Sequence, residues 1–207
     1  MKNSFILLVL IVLFSCQNAI PKHETVNNVF KSDILKVIDE VSKLEHLIKL
    51  NSSTVQLQKQ FLKAHSSYKQ VETISEYYFP VVSKAINGPA LAEFEENDGK
   101  TLSPEGFQVI EEFIFPAYNP KSKAELLKEM GILSANLKRL DKVSQTNEFT
   151  DSHVFDAMRL EVFRIITLGI TGFDSPIAQK SIPEAASALE SIEKYYKIYA
   201  DNSTDES

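Results

Sequence analysis

The chain has 207 residues, of which 43% are hydrophobic, and it carries six glycines, no tryptophan and a formal net charge of −6. This length and composition argue against an intrinsically disordered chain and fit one good-sized domain or two small bundles. The acidic balance argues against nucleic acid as a partner, because phosphate binding requires a basic surface. Long segments with apolar residues at helical spacing, and no alternating strand pattern, predict an all-α protein.

The N-terminus has the pattern of a signal peptide followed by a lipid attachment site. Lys2 precedes an unbroken apolar run over residues 5–14, which is too short to span a membrane but has the length of a signal-peptide core. The sequence LFSC at residues 13–16 resembles a bacterial lipobox, in which the cysteine is lipidated and becomes the mature N-terminus. An ordinary secretory signal with an incidental cysteine is the alternative. We expect a lipoprotein signal peptide over residues 1–15 and lipidation of Cys16.

A lipid on Cys16 would place the chain in the cell envelope, on the periplasmic face of a membrane. The polar residues after it predict a tether, so we assign residues 16–30 to the lipidated cysteine and this tether. Gln17 replaces the aspartate that often marks inner-membrane retention, which favours an outer-membrane lipoprotein. Cys16 is also the only cysteine, so the mature chain has no thiol for a disulfide, a Cys-ligated metal or a covalently attached haem.

Six or seven apolar segments at helical spacing follow, and they predict an up-and-down antiparallel helical bundle over residues 31–200. The first helix is expected to begin at Ser32, and Pro80 is expected to kink or break the second. Residues 91–102 predict a helical turn and a loop, and residues 201–207 a flexible tail. Three capping boxes are expected to begin helices, and they pair Ser53 with Gln56, Ser122 with Glu125, and Ser181 with Glu184.

A short, almost entirely apolar helix is predicted to begin at Ser103, with Pro104 at its first position. Gly106 would allow another backbone to approach this helix closely. Gln108 and Glu111 are three residues apart, so they point the same way and need polar partners or a ligand if they are buried. We expect this central helix to organise the bundle.

Two glycines and a proline surround Phe173 in the segment 169–176, and they predict a buried loop of specific shape. We expect this loop to contact the central helix, with Phe173 buried and Asp174 acting as a cap or as a hydrogen-bond acceptor. Core packing is also the favoured prediction for other apolar residues near the C-terminus, namely Phe155, Val162, Phe163, Ile166 and Tyr196.

Tyr68 and Glu72 are four residues apart on one face of the second predicted helix, and the central helix contains GFQVIE at residues 106–111. This combination resembles the imelysin-like family of bacterial periplasmic helical proteins, which have a tyrosine-and-glutamate helix followed by a GxHxxE motif. Gly106 and the final glutamate match that motif, whereas Gln108 stands at the position of its histidine. The resemblance implies an imelysin-like helical bundle.

In that family the histidine and the glutamate of the motif are proposed ligands for iron or another metal. A glutamine amide is a much poorer ligand than an imidazole, so Gln108 favours a hydrogen-bonding role at this position. Glu72, Glu111 and His153 would form a metal site if their helices converge. A buried network in which every polar group has a partner is the alternative, and the sequence favours it.

A narrower resemblance covers nearly the whole mature chain. The strings at residues 68–72, 86–89, 104–112 and 168–176 are similar to the imelysin-type region that lies ahead of the catalytic part in Bacteroidetes di-haem cytochrome c peroxidases. The two Cys-x-x-Cys-His haem sites that follow in those proteins have no counterpart in this sequence. The resemblance implies an accessory binding domain without catalysis of its own, whose partner is a haem peroxidase or an iron-uptake protein. An iron-binding protein with a degenerate site is the alternative.

Overall fold

The computed structural model describes residues 20–95 and 99–200. The described part is an all-α bundle in which the helices pack on one another, as the sequence predicts. The predicted signal peptide, Cys16 and the tail after residue 200 lie outside these ranges. No helix within them combines the length and apolar character needed to cross a bilayer. The seven α-helices are α1 Lys22–Lys49, α2 Thr54–Tyr78, α3 Pro80–Asn87, α4 Phe107–Ile114, α5 Lys123–Ser144, α6 Asp151–Arg164 and α7 Ser181–Ala200.

Helix α2 lies at the centre of the bundle, because it packs against α1, α3, α4, α6 and α7. It ends at Tyr78, and α3 begins with Pro80, so the predicted break at this proline is confirmed. A 3-10 turn, Pro120–Ser122, leads into α5, and a π-helix, Ile165–Gly169, continues α6. The largest fully buried side chains of the core are Tyr68, Tyr195, Phe30, Phe61 and Phe107.

Helix α1 begins at Lys22 rather than at Ser32, so most of the segment predicted as a tether is helical. Lys22 Nζ donates a hydrogen bond of 2.8 Å to the backbone carbonyl of Tyr199 at the other end of the chain. Val26 and Phe30 are fully buried. The prediction was wrong because a few apolar residues among polar ones suffice to hold a helix when they pack on a core.

Residues 93–95 and 100–102 form two antiparallel strands instead of the predicted helical turn. The strands are β1 Glu93–Glu95 and β2 Lys100–Leu102, and Phe94 is paired with Thr101. Asp-Gly, here Asp98-Gly99, is a sequence that favours the two-residue turns of β-hairpins, and Gly99 has a φ of 60°. The hairpin therefore follows from turn chemistry that helical spacing does not detect.

Two of the predicted helix starts have different outcomes. Ser53 forms the predicted capping box, in which its Oγ accepts from the Gln56 amide at 3.4 Å and its own amide donates to Gln56 Oε1 at 3.0 Å. Ser122 makes no such bond. Asn119 Oδ1 accepts from the amide of Lys121 at 3.1 Å, so the 3-10 turn begins there and α5 follows it without a capping box.

The central helix α4 begins at Phe107, not at Ser103, and Gly106 precedes it with a φ of 94°. A Cβ atom added at Gly106 would overlap the carbonyl group of Ile86 in α3, whose carbon atom would be 2.7 Å away. The predicted close approach to Gly106 is therefore confirmed, and the approaching backbone is that of α3. Phe107 then packs against Phe61, with ring centroids 5.9 Å apart.

The Gly106→Ala variant is expected to lose on the order of 2 to 4 kcal/mol of unfolding free energy, because the methyl group meets backbone atoms and φ is positive. Gly131 provides a matched control, since it lies exposed within α5 and an added Cβ meets nothing within 4 Å. Gly131→Ala should stabilise the protein by about 0.5 to 1 kcal/mol. Urea denaturation of both variants measures the difference, and equal stabilities would contradict the assigned role of Gly106.

Candidate functional site

One face of the central helix α2 is polar although it is buried. His65, Lys69 and Glu72 follow one another at helical spacing, and each side chain is no more than 3% exposed. Charged groups buried to this extent require partners, because their desolvation is otherwise very unfavourable. The partners come from α3, α6, the 170–180 loop and α7.

Lys69 is at the centre of this network. Its Nζ donates to Glu72 Oε2 at 2.9 Å and to Asp174 Oδ2 at 2.8 Å. Burial alone would lower the pKa of Lys69, but the two carboxylates outweigh it and the pKa is raised. Burial raises and Lys69 lowers the pKa of Asp174, and the net direction is downward. The expectation that Asp174 accepts a hydrogen bond is confirmed.

Arg164, the last residue of α6, extends the network toward the surface. Its Nη2 donates to Glu72 Oε1 at 2.8 Å and lies 3.1 Å from Glu76 Oε1. Burial raises the pKa of Glu76 to about 7. Glu161 is 3.7 Å from Arg164 Nε, and burial together with the nearby charge of Glu72 raises its pKa well above the usual range. Burial thus brings the pKa of Glu76 close to neutral pH.

His65 extends the network at its other end. Asn87 Nδ2 donates to Asp174 Oδ1 at 3.3 Å, which leaves Asn87 Oδ1 to accept from His65 Nε2 at 3.0 Å. The second ring nitrogen, Nδ1, is 2.8 Å from Glu184 Oε1. Both nitrogens face acceptors, so the ring is held as an imidazolium. Burial lowers its pKa, Glu184 raises it more strongly, and the net pKa is raised.

The predicted capping box of Ser181 and Glu184 is wrong, because Glu184 is engaged with His65. The interaction predicted between the central helix and the segment 169–176 is confirmed through Glu111. Its Oε1 accepts from Ser175 Oγ at 3.0 Å and from the amide of Ala178 at 2.8 Å. Burial raises the pKa of Glu111 despite these two hydrogen bonds. Phe173 is 47% exposed, so its predicted burial is wrong.

The three predicted metal ligands do not converge. Glu72 is paired with Lys69, and Glu111 is bonded to the 170–180 loop. His153 lies elsewhere, on the exposed start of α6, with its ring 5.8 Å from that of Tyr77. Within residues 20–95 and 99–200, no group of three histidine, cysteine, aspartate or glutamate side chains is arranged to hold a metal ion.

The other predicted site residues are also apart from one another. Tyr68 donates its hydroxyl proton to the carbonyl of Ser83 at 3.3 Å. Gln108 is buried. Its aliphatic carbons pack close to Gly88, and a Cβ atom added at Gly88 would lie 3.1 Å from the nearest of them. The residues brought together are therefore Glu72 and Asp174, while Lys69, Arg164, His65 and Glu184 join them without having been predicted. The signal for Lys69 and His65 was the polar spacing along α2.

A second feature is a large apolar surface at the C-terminal part of the chain. Ten large apolar side chains, from α6 to α7, are between 38% and 64% exposed. The predicted core packing of Phe155, Val162, Phe163, Ile166 and Tyr196 is wrong, because α6 and α7 have more apolar residues than one buried face can hold. We call these ten residues the apolar face: Phe155, Val162, Phe163, Ile166, Ile170, Phe173, Ile177, Ile182, Leu189 and Tyr196.

Helices α6 and α7 run side by side beneath this surface. The rings of Phe155 and Tyr199 have centroids 4.8 Å apart at one end. At the other end, Ile165 of the π-helix belongs to a small buried cluster with Ala185. The exposed residues recur at helical spacing on each of the two helices, so each helix carries an apolar stripe.

No model of a known protein family matches this chain, and no curated protein gives a significant match. The structural basis for a function therefore consists of two features, the buried ionic network and the apolar face. The network pairs its charges internally, which suits it to hold helices in place. Every side chain of the apolar face remains at least 38% exposed, which is typical of a surface that binds another molecule.

The Lys69→Met variant is expected to lose about 3 to 5 kcal/mol of unfolding free energy, because Glu72 and Asp174 would remain buried without their cation. Lys197 provides the control, since its pair with Glu193 is more than 60% exposed on both sides. Lys197→Met should change stability by less than about 0.5 kcal/mol. Chemical denaturation at neutral pH measures both, and a mild effect at Lys69 would contradict its central role.

The raised pKa of His65 predicts a stability that falls as the pH rises. Below about pH 6.5 both folded and unfolded chains bind this proton, and the stabilisation is complete. Above that value the unfolded chain loses the proton first, and the stabilisation disappears as the pH passes the folded pKa. The stability difference between wild type and His65→Gln should therefore shrink from pH 6 to alkaline pH. Chemical denaturation of both proteins at several pH values in this range measures the difference. A pH-independent difference would contradict an imidazolium at this position.

Proposed function

We propose that this chain is a lipid-anchored binding module of the cell envelope, and that its apolar face docks a partner protein. The single observation that carries the proposal is the exposure of ten large apolar side chains along α6, the segment that follows it and α7. Exposed apolar side chains in this number are unfavourable in water and are typical of protein interfaces. The module binds its partner and leaves catalysis to it.

The support beneath the apolar face favours a preformed interface. Arg164 and Glu161 of α6 are held by the ionic network on the buried side of the helix that exposes Val162 and Phe163. Asp174 fixes the loop beside exposed Phe173 in the same way. A surface that is already ordered loses little conformational entropy on binding, so more of the contact energy contributes to affinity.

The predicted lipid anchor would bring one end of this face close to a membrane. Lys22, at the start of α1, binds the carbonyl of Tyr199. His23 Nδ1 is 3.2 Å from Asp151 Oδ1 at the start of α6. Helix α1 therefore begins beside the end of the α6 and α7 pair that carries Phe155. We propose that the anchor belongs to the outer membrane and that the partner binds on its periplasmic side.

The resemblance of four sequence strings to the region ahead of the catalytic part in di-haem cytochrome c peroxidases supports a particular partner. In such an arrangement, the surface of an accessory region that faces the catalytic part would be apolar. We therefore propose a c-type haem peroxidase as the partner, with an iron-uptake protein as the second choice. The apolar face, formed by the last helices of the bundle, is the surface on which it would dock.

The test uses the Cys16→Ser chain, which is expected to leave the membrane fraction, as bait for detergent-solubilised membranes of the source bacterium. A protein with covalently bound haem, visible by haem staining, should be retained. After purification, its affinity for the Phe163→Asp, Ile166→Asp double variant should be at least about tenfold lower, because two charges would be buried in the interface. Calorimetric titration measures that change.

Leu35→Asp is the matched control, because Leu35 is 56% exposed on α1, outside the apolar face. This variant should bind as tightly as the wild type. Retention of no haem protein, or equal affinity of the double variant, would refute the proposed partner or the proposed surface, respectively. Binding of the Cys16→Ser chain to lipid vesicles that is lost in the double variant would identify a bilayer as the occupant and also refute the proposal.

A further inference from the structure

A small cavity lies between the ionic network and the helices that carry the apolar face. It has about 10 Å³ of room for the centre of a water molecule, which is the amount that one buried water needs. The π-helix forms part of its wall through Ile165 and Gly169, and Ala185 and Ala188 of α7 form another apolar part. The polar residues around it are Lys69, Glu72, Glu161, Asp174, Ser181 and Glu184.

Three polar atoms of residues lining this cavity have no hydrogen-bond partner among the described residues. They are Glu161 Oε2, Ser181 Oγ and Glu184 Oε2. All three side chains are more than nine-tenths buried. A buried polar atom without a hydrogen-bond partner is unfavourable, so three of them on residues that line one cavity call for a common partner.

Lys69 provides the fourth polar group. Its ammonium carries three protons, and its Nζ lies 3.2 Å and 2.9 Å from the two oxygens of Glu72 and 2.8 Å from Asp174 Oδ2. One proton shared between the two Glu72 oxygens and one donated to Asp174 account for these contacts. The third proton is available to the cavity, whose wall Lys69 forms in part. The walls thus offer two donors, from Lys69 and Ser181, and two carboxyl acceptors, from Glu161 and Glu184.

We infer that the cavity is a binding site for a single water molecule, which accepts from Lys69 and Ser181 and donates to Glu161 and Glu184. Water has two donor and two acceptor directions, so it satisfies all four groups. An ammonium ion could not accept from Lys69 or Ser181. A halide could not donate to the carboxyl groups, and a metal cation would face the positive charge of Lys69.

This site joins three helices at one point, since Lys69 belongs to α2, Glu161 to α6, and Ser181 and Glu184 to α7. The π-helix follows Arg164, next to the turn that exposes Val162 on the apolar face. Single-turn π-helices often occur at functional sites, where an extra residue widens the helix. Here the wider turn borders the cavity that admits the water.

Two measurements test the site. A crystal structure of the wild-type chain that resolves internal waters should show one density peak within hydrogen-bond distance of the four groups. Magnetic relaxation dispersion of ¹⁷O should detect a long-lived water whose residence time falls about fivefold to tenfold in Ser181→Ala, because one of its four hydrogen bonds is lost. Ser144→Ala is the control, since this buried hydroxyl binds the Asp141 carbonyl in α5 and does not line the cavity.

No density in the wild-type structure, or a relaxation signal that is the same in Ser181→Ala as in wild type, would overturn the inference. A melting temperature that rises in ammonium chloride relative to sodium chloride, and does so less in Glu161→Gln, would show that the site takes a cation and would also overturn it. The crystallographic and salt measurements on the wild type need no variant, so poor folding of Ser181→Ala leaves the inference open to refutation.

Discussion

The burial of the Lys69 ammonium between Glu72 and Asp174 is the constraint on which the rest of the structure depends. An ammonium group buried in the centre of a bundle is stable only if carboxylates are buried beside it, and each carboxylate then needs further hydrogen-bond donors. Glu72 obtains its donor from Arg164, and Asp174 obtains one from Asn87. One buried charge in α2 thereby fixes the positions of α3, the end of α6 and the 170–180 loop.

Local sequence patterns predict the parts of this protein that depend on local forces. Helical spacing predicts the all-α class, and a capping box predicts the start of α2 at Ser53. The hairpin and the early start of α1 at Lys22 were missed because turn chemistry and distant packing determined them. The polar stripe on α2 is the only part of the ionic network that the sequence indicates. The pairing of Lys69 with Asp174 joins residues 105 positions apart, and no periodicity reports such a distance.

The helices that contribute charged residues to the buried network also carry the apolar residues that are exposed on the apolar face. Helix α6 directs Glu161 and Arg164 toward the interior and exposes Val162 and Phe163, which inverts the usual placement of charged and apolar residues. An isolated bundle gains no stability from this inversion. The inversion has a physical reason if the exposed apolar side chains become buried in a larger assembly. The buried charges of α6 would then hold the helix in the orientation that exposes its apolar side chains to a partner.

The contact between Lys22 and the Tyr199 carbonyl also has a consequence for how the bundle can be combined with other domains. The first helix of the described chain begins beside the end of the last helix. The chain therefore enters and leaves the bundle at almost the same place. A unit of this kind can precede another domain, or be inserted into a surface loop, without pushing the flanking sequences apart. The geometry thus makes the bundle a portable unit for gene fusion.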